Sequence, residues 1–154
     1  MDHSKPSKSA YGMLALNLIL SGIIMYLVMF SMIDGWADFR NNINMGYMAV
    51  TMVAPMAIIM LATMGGMYGN RALNLVLYAL FALLFMGAFL AIRGQTLVDD
   101  RQFISSMIPH HSGAILMCRE AQLEDPELQT LCDEIQAGQR REIEQMEAIA
   151  ARLP

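Results

Sequence analysis

Charge is nearly absent from the first 98 residues of this chain. They carry three acidic side chains (Asp2, Asp34, Asp38) and five basic ones (Lys5, Lys8, Arg40, Arg71, Arg93). A sequence that is 56% hydrophobic and only 16% charged is not that of a soluble domain of 154 residues. Other absences exclude chemistries. There is no His-Glu-x-x-His zinc motif. The residues three before the two adjacent histidines are Met107 and Ile108, so the Glu-x-x-His of di-iron bundles is missing too. No glycine-rich phosphate loop precedes a helix, because the 64–69 stretch lies at the edge of an apolar run. Ser112 beside His111 forms no recognisable triad, and nothing basic and aromatic-interleaved suits nucleic acid. No enzyme is expected.

What is present begins with three apolar runs, roughly 11–33, 45–67 and 72–92, free of Asp, Glu, Lys and Arg apart from their flanks. Each has the about 20 residues a bilayer crossing takes. The first is too long, and lacks the small-residue cleavage site, for a removed signal peptide. Residues 1–10 read as a polar tail. Three crossings put Lys5, Lys8 and Arg71 on one side, and Arg40, the juxtamembrane Arg93 and the C-terminal region on the other. That contrast predicts a cytoplasmic N-terminus and a C-terminal domain outside, which in a bacterium is the periplasm.

From Asp99 onward the charge balance reverses, with eleven acidic and five basic side chains. Phe103, Ile104, Met107, Ile108, His111, Ala114, Ile115 and Cys118 recur at helical spacing after a capping Asp99 or Asp100, in a run that ends near 123–124. Asp125-Pro126-Glu127 reads as N-cap, first-turn proline and acid of a second helix. A short turn between them predicts an antiparallel hairpin over 97–154. The fold expected is therefore all-α, with three transmembrane helices followed by that hairpin. Two helices bury little, so a homo-oligomer or packing on the membrane segments is implied. Pro109 either interrupts the first helix and frees a carbonyl or sits near its true start.

The hairpin also concentrates soft ligands. Met107, His110, His111, Met117 and Cys118 lie within twelve residues, and copper prefers such donors above other metals. Met107 is one turn from each histidine, whereas His110 and His111 diverge by about 100° on a regular helix. His111 follows the apolar face and His110 lies off it, free for a second site or an intersubunit contact. With the turn near 125, Cys118 falls opposite Cys132, and Glu142 and Met146 come within about one turn of Met107 and His111. A Met/His shell suits Cu(I), and Glu142 would broaden it toward Cu(II). The plain alternative makes the methionines core filler and one histidine a surface group. Cys118 and Cys132, the only cysteines, read as a disulfide in an oxidising compartment, as buried thiols or as thiolate ligands.

The second apolar run has a pattern of its own. Met45, Met48, Met52, Met56, Met60, Met64 and Met67 lie on one helical face, over about 33 Å of rise. Such a stripe is either a polarizable packing seam or a thioether track passing Cu(I) across the membrane.

Asp100-Arg-Gln-Phe103, Met107-Ile-Pro-His-His111, Gly113-Ala114, Met117, Asp125-Pro-Glu127-Leu and Glu142-Ile143-x-x-Met146 together resemble the bacterial domain-of-unknown-function family 305, over about residues 97–153. The whole chain looks like its membrane-anchored branch. The resemblance implies a ferritin-like helical domain and, from copper-binding members linked to copper resistance, Met107, His110, His111, Met117 and Met146 as metal-ligand candidates. The reading that follows is a bacterial inner-membrane protein whose periplasmic helical domain binds copper, Cu(I) foremost, for sequestration, handover or resistance. Its rivals are a membrane copper transporter using the methionine stripe and a helical interaction module without metal.

Overall fold

The computed structural model describes residues 8–154, and most of the expected N-terminal tail, with His3, lies outside the described residues. Among the described residues the chain is all-helical. It forms α1 (Lys8–Val28), α2 (Ile43–Thr63), α3 (Arg71–Gly94), α4 (Asp100–Glu120) and α5 (Pro126–Ala150), with short 3-10 turns at Met29–Met32 and Trp36–Asp38. The first three helices are long and apolar enough to cross a membrane. Two compact units result.

The first unit runs through Val28 and resumes over Gly46–Thr96. Its core is Leu14, Leu18, Ala57, Leu61 and Tyr68. Small side chains let these helices approach: α2 buries Ala49, Ala54 and Ala57, and a Cβ added at Gly22 of α1 would lie 3.5 Å from Val53. Asn74 is a polar group in apolar surroundings, and both ends of its amide are satisfied. Its nitrogen donates to the Tyr68 carbonyl at 2.7 Å and its oxygen accepts from the Tyr11 hydroxyl at 2.8 Å. The methionine stripe borders this core. Met56 and Met60 pack against it, while Met48, Met52, Met64 and Met67 remain exposed. α2 also ends at Thr63, before the stripe does, because Gly65-Gly66 gives a turn closed by bonds from the Met67 and Tyr68 N–H groups to the Met64 and Gly65 carbonyls.

The second unit joins Met29–Met45 to Leu97–Pro154. Asp99 caps α4 through the Gln102 N–H at 2.7 Å, and Asp125 caps α5 through the Leu128 N–H at 2.9 Å with Pro126 as first residue. α4 and α5 pack antiparallel. The Cys118–Cys132 disulfide closes one end, with Cα atoms 5.3 Å apart, and Arg101 donates to the Pro154 carbonyl at the other. Ile104, Ile108, Ile115 and Ile143 form the apolar interior, with Met146, Ile149, Ala150 and Leu153 packed against it.

Pro109 is the tenth residue of α4, and the helix continues through it. Lacking an N–H, it leaves the Ser105 carbonyl without its helical donor. The Asn42 side chain takes that place at 3.2 Å. Asn42 is only 3% exposed, and its oxygen accepts from the Met45 N–H at 3.0 Å, capping α2. Gln102 accepts from the Ile43 N–H at 2.8 Å, and Asn44 donates to the Ser106 hydroxyl at 3.1 Å. One polar side of α4 thus holds the 29–45 segment.

Candidate functional site

Four consecutive residues of α4, His110 to Gly113, project in four directions. His111 is 7% exposed and points toward α5. Its Nδ1 lies 2.9 Å from the Met107 carbonyl oxygen and its Nε2 lies 2.7 Å from a Glu142 carboxylate oxygen. A carbonyl can only accept, so Nδ1 carries a hydrogen and donates it. Nε2 is then the nitrogen turned toward the carboxylate. Metal-binding histidines are commonly held this way, one ring N–H on a backbone oxygen and the other nitrogen aimed at the ion.

Ser112 is fully buried, and its partners lie more than seventy residues away. Its hydroxyl donates to Asp38 at 2.6 Å and accepts from the Asp34 N–H at 2.6 Å. Gly113 leaves little room for a side chain, since a Cβ there would sit 3.2 Å from the Met32 carbonyl oxygen and that backbone would have to give by a few tenths of an ångström. Asp34 in turn pairs with Arg119, and lies 3.9 Å from Arg140. A bond to the Glu120 carboxylate, with the charge of Asp34 adding to it, holds the Arg119 guanidinium above its usual range against some desolvation. Asp34, Asp38, Arg140 and Glu144 line a pocket of about 170 Å³ floored by Ile115 and Ile143. The sequence assigns Asp34 and Asp38 no role and Ser112 only a rejected one beside His111, because no helical period or local motif connects the three.

The five candidate ligands are not all drawn together. His110 is exposed, with its ring centroid 5.9 Å from that of His111. Met107 is partly buried one turn before both. Met117 is 54% exposed farther along α4, and Met146 packs against the isoleucine cluster. Among the described residues no three His, Cys, Asp or Glu side chains gather as a metal-holding group. Both cysteines are spent in the disulfide. One chain therefore offers His111 and Glu142 as converging donors, with His110 and Met107 alongside.

Comparison with known proteins agrees with the resemblance read in α4 and α5. The family described as Domain of unknown function (DUF305) matches residues 86–150. The chain is similar to "Uncharacterized protein L153" of Acanthamoeba polyphaga mimivirus, 32% identical over 143 residues, which covers 89% of this chain and 90% of that protein. No solved structure matches. With its helical order, its hairpin motifs and a relative matched along almost its whole length, the chain belongs to the DUF305 family.

Proposed function

We propose that this chain is an inner-membrane copper-binding protein of bacterial type, whose hairpin unit takes up a copper ion on the extracytoplasmic side for sequestration or handover. The observation that carries the reading is the posture of His111. The Met107 carbonyl fixes a hydrogen on Nδ1, and Nε2 meets the Glu142 carboxylate at 2.7 Å. A cation replacing the proton between Nε2 and Glu142 would find two donors already turned toward each other. His110 and Met107 supply the softer donors that favour copper, Cu(I) with thioether and imidazole and Cu(II) as the carboxylate contributes. Met117 and Met146 would join through rearrangement or at a second position.

The compartment rests on two supports. The Cys118–Cys132 disulfide belongs to an oxidising environment, and the loops predicted to face the cytoplasm hold more Lys and Arg. The test is competition for Cu(I) against a chelator by the full-length protein in lipid nanodiscs. Wild-type protein takes the ion from the chelator, and His111→Ala lowers the affinity at least tenfold. An affinity unchanged by His111→Ala would overturn the assignment.

A further inference from the structure

The side of α4 turned away from both α5 and the 29–45 segment carries Phe103, Met107, His110, Ala114 and Met117. Their spacing is 4, 3, 4 and 3, the a/d repeat of a helix that packs along its length on another helix. Phe103 and Met117 are 51% and 54% exposed, and on α5 Leu128 and Leu131 remain 42% and 48% exposed. Charge avoids this stripe. On α4 no Asp, Glu, Lys or Arg falls on it, as expected where a surface is to be covered. On α5 the exposed charge nearest the side of Leu131 is Glu142, eleven residues on, and it is paired with His111.

We propose that a second copy of this chain covers the face, pairing the two α4 helices antiparallel about a two-fold axis through His110. The residue order is self-complementary in that arrangement. Positions equally spaced on either side of His110 meet, so Phe103 packs on the partner's Met117, while Met107, three residues before the axis, falls beside the partner's Ala114, four after it. Each contact sets a large side chain against a flexible or small one. A parallel pairing would set Phe103 on its own copy and Ala114 on its own copy, crowding one end and leaving a void at the other. The size fits as well. α4 and α5 have 21 and 25 residues, so at 1.5 Å per residue and a spacing of about 10 Å their open side is on the order of 600 Å², near the roughly 800 Å² each partner contributes to a stable interface. Two hairpins joined in this way make a four-helix bundle.

The pairing brings two His110 rings to the axis, with Met107 of each copy one turn away. Resting on the copper reading, the axis gathers two imidazoles and two thioethers, a Cu(I) donor set that no single chain offers, so an ion there is shared by two chains while each His111–Glu142 pair stays within its own chain. The test uses full-length protein in lipid nanodiscs or native membranes. His110→Cys, treated with diamide, should form a cross-linked dimer, while Asp133→Cys on another side of α5 should not. Adding Ala114→Glu to His110→Cys should reduce the dimer at least tenfold with helix content unchanged by circular dichroism. Absence of the His110→Cys dimer, or its persistence with Ala114→Glu, would overturn the pairing. In Cu(I) titration, Ala114→Glu should remove uptake equivalent to one ion per two chains. Saturation at one ion per chain, unaltered in Ala114→Glu, would overturn the shared site and leave the single-chain copper reading standing. No Cu(I) uptake beside an intact cross-link would overturn the copper reading, and the shared site with it, while supporting the pairing.

Discussion

Ser112 and Gly113 show how much of a short motif can be spent on packing. Ser112 is fully buried between the Asp38 carboxylate and the Asp34 N–H. Ser112→Ala removes the donor to a carboxylate and the acceptor of an amide together, and such orphaned groups cost about 1–3 kcal/mol each. Thermal unfolding of Ser112→Ala should occur several degrees below wild type, and Ser112→Thr should not rescue it, because the added methyl has no space in a position without exposure. Gly113 faces the Met32 carbonyl. Gly113→Val must push backbone aside and should lower stability by about 2 kcal/mol or more, whatever helix propensity it gains. These two effects are independent of metal, so both variants should be measured in its absence. His111 differs from them in having a neighbour, Glu142, whose side chain is 58% exposed and reachable from solvent.

At the scale of elements, the hairpin was legible in the sequence because its punctuation is local. Asp99, Asp125 and Pro126 mark the helix starts as expected, and counting outward from the turn brought Cys118 to Cys132 and His111 to Glu142. Reducing the disulfide opens a crosslink of separation 14, and the unfolding free energy of the hairpin unit should fall by about 3 kcal/mol. A Cys118→Ala/Cys132→Ala variant whose melting matched wild type would show that the caps and isoleucines alone hold the register. The part of the fold that was not legible is the grouping of 29–45 with α4. Its bonds join residues about sixty to eighty positions apart and follow no period. Pro109 was the available signal, since a proline inside a helix announces a free carbonyl that some donor must meet. Asn42 is that donor and also the cap of α2. Asn42→Ala should therefore cost more than a simple cap, about 2–3 kcal/mol by denaturant unfolding in detergent. The second apolar run was overextended for a comparable reason. Its methionines keep a helical period past Thr63, but Gly65-Gly66 ends the helix before the pattern stops.

At the scale of the whole chain, composition separates two kinds of work. The apolar part supplies three helices fit to cross a membrane, and the acidic part supplies a disulfide-closed hairpin with its polar chemistry on α4 and α5. The methionines of α2 show the same division. Met48 and Met52 are exposed, away from the buried core, so Met48→Leu/Met52→Leu should leave copper affinity of the hairpin unchanged within a factor of about two, as volume-conserving exchanges do. Loss of binding in that variant would move the site into the membrane-spanning helices. A fragment cut at residue 97 would lack Asp34, Asp38 and Asn42, which hold α4, so the copper test belongs on the intact chain. The most direct measurement is therefore Cu(I) competition by full-length protein in nanodiscs, comparing wild type with the His110→Ala/His111→Ala double variant. The account predicts that wild type withdraws Cu(I) from the chelator and that the double variant does not. A wild-type protein that leaves the chelator fully loaded, or a double variant that competes as well as wild type, would contradict it.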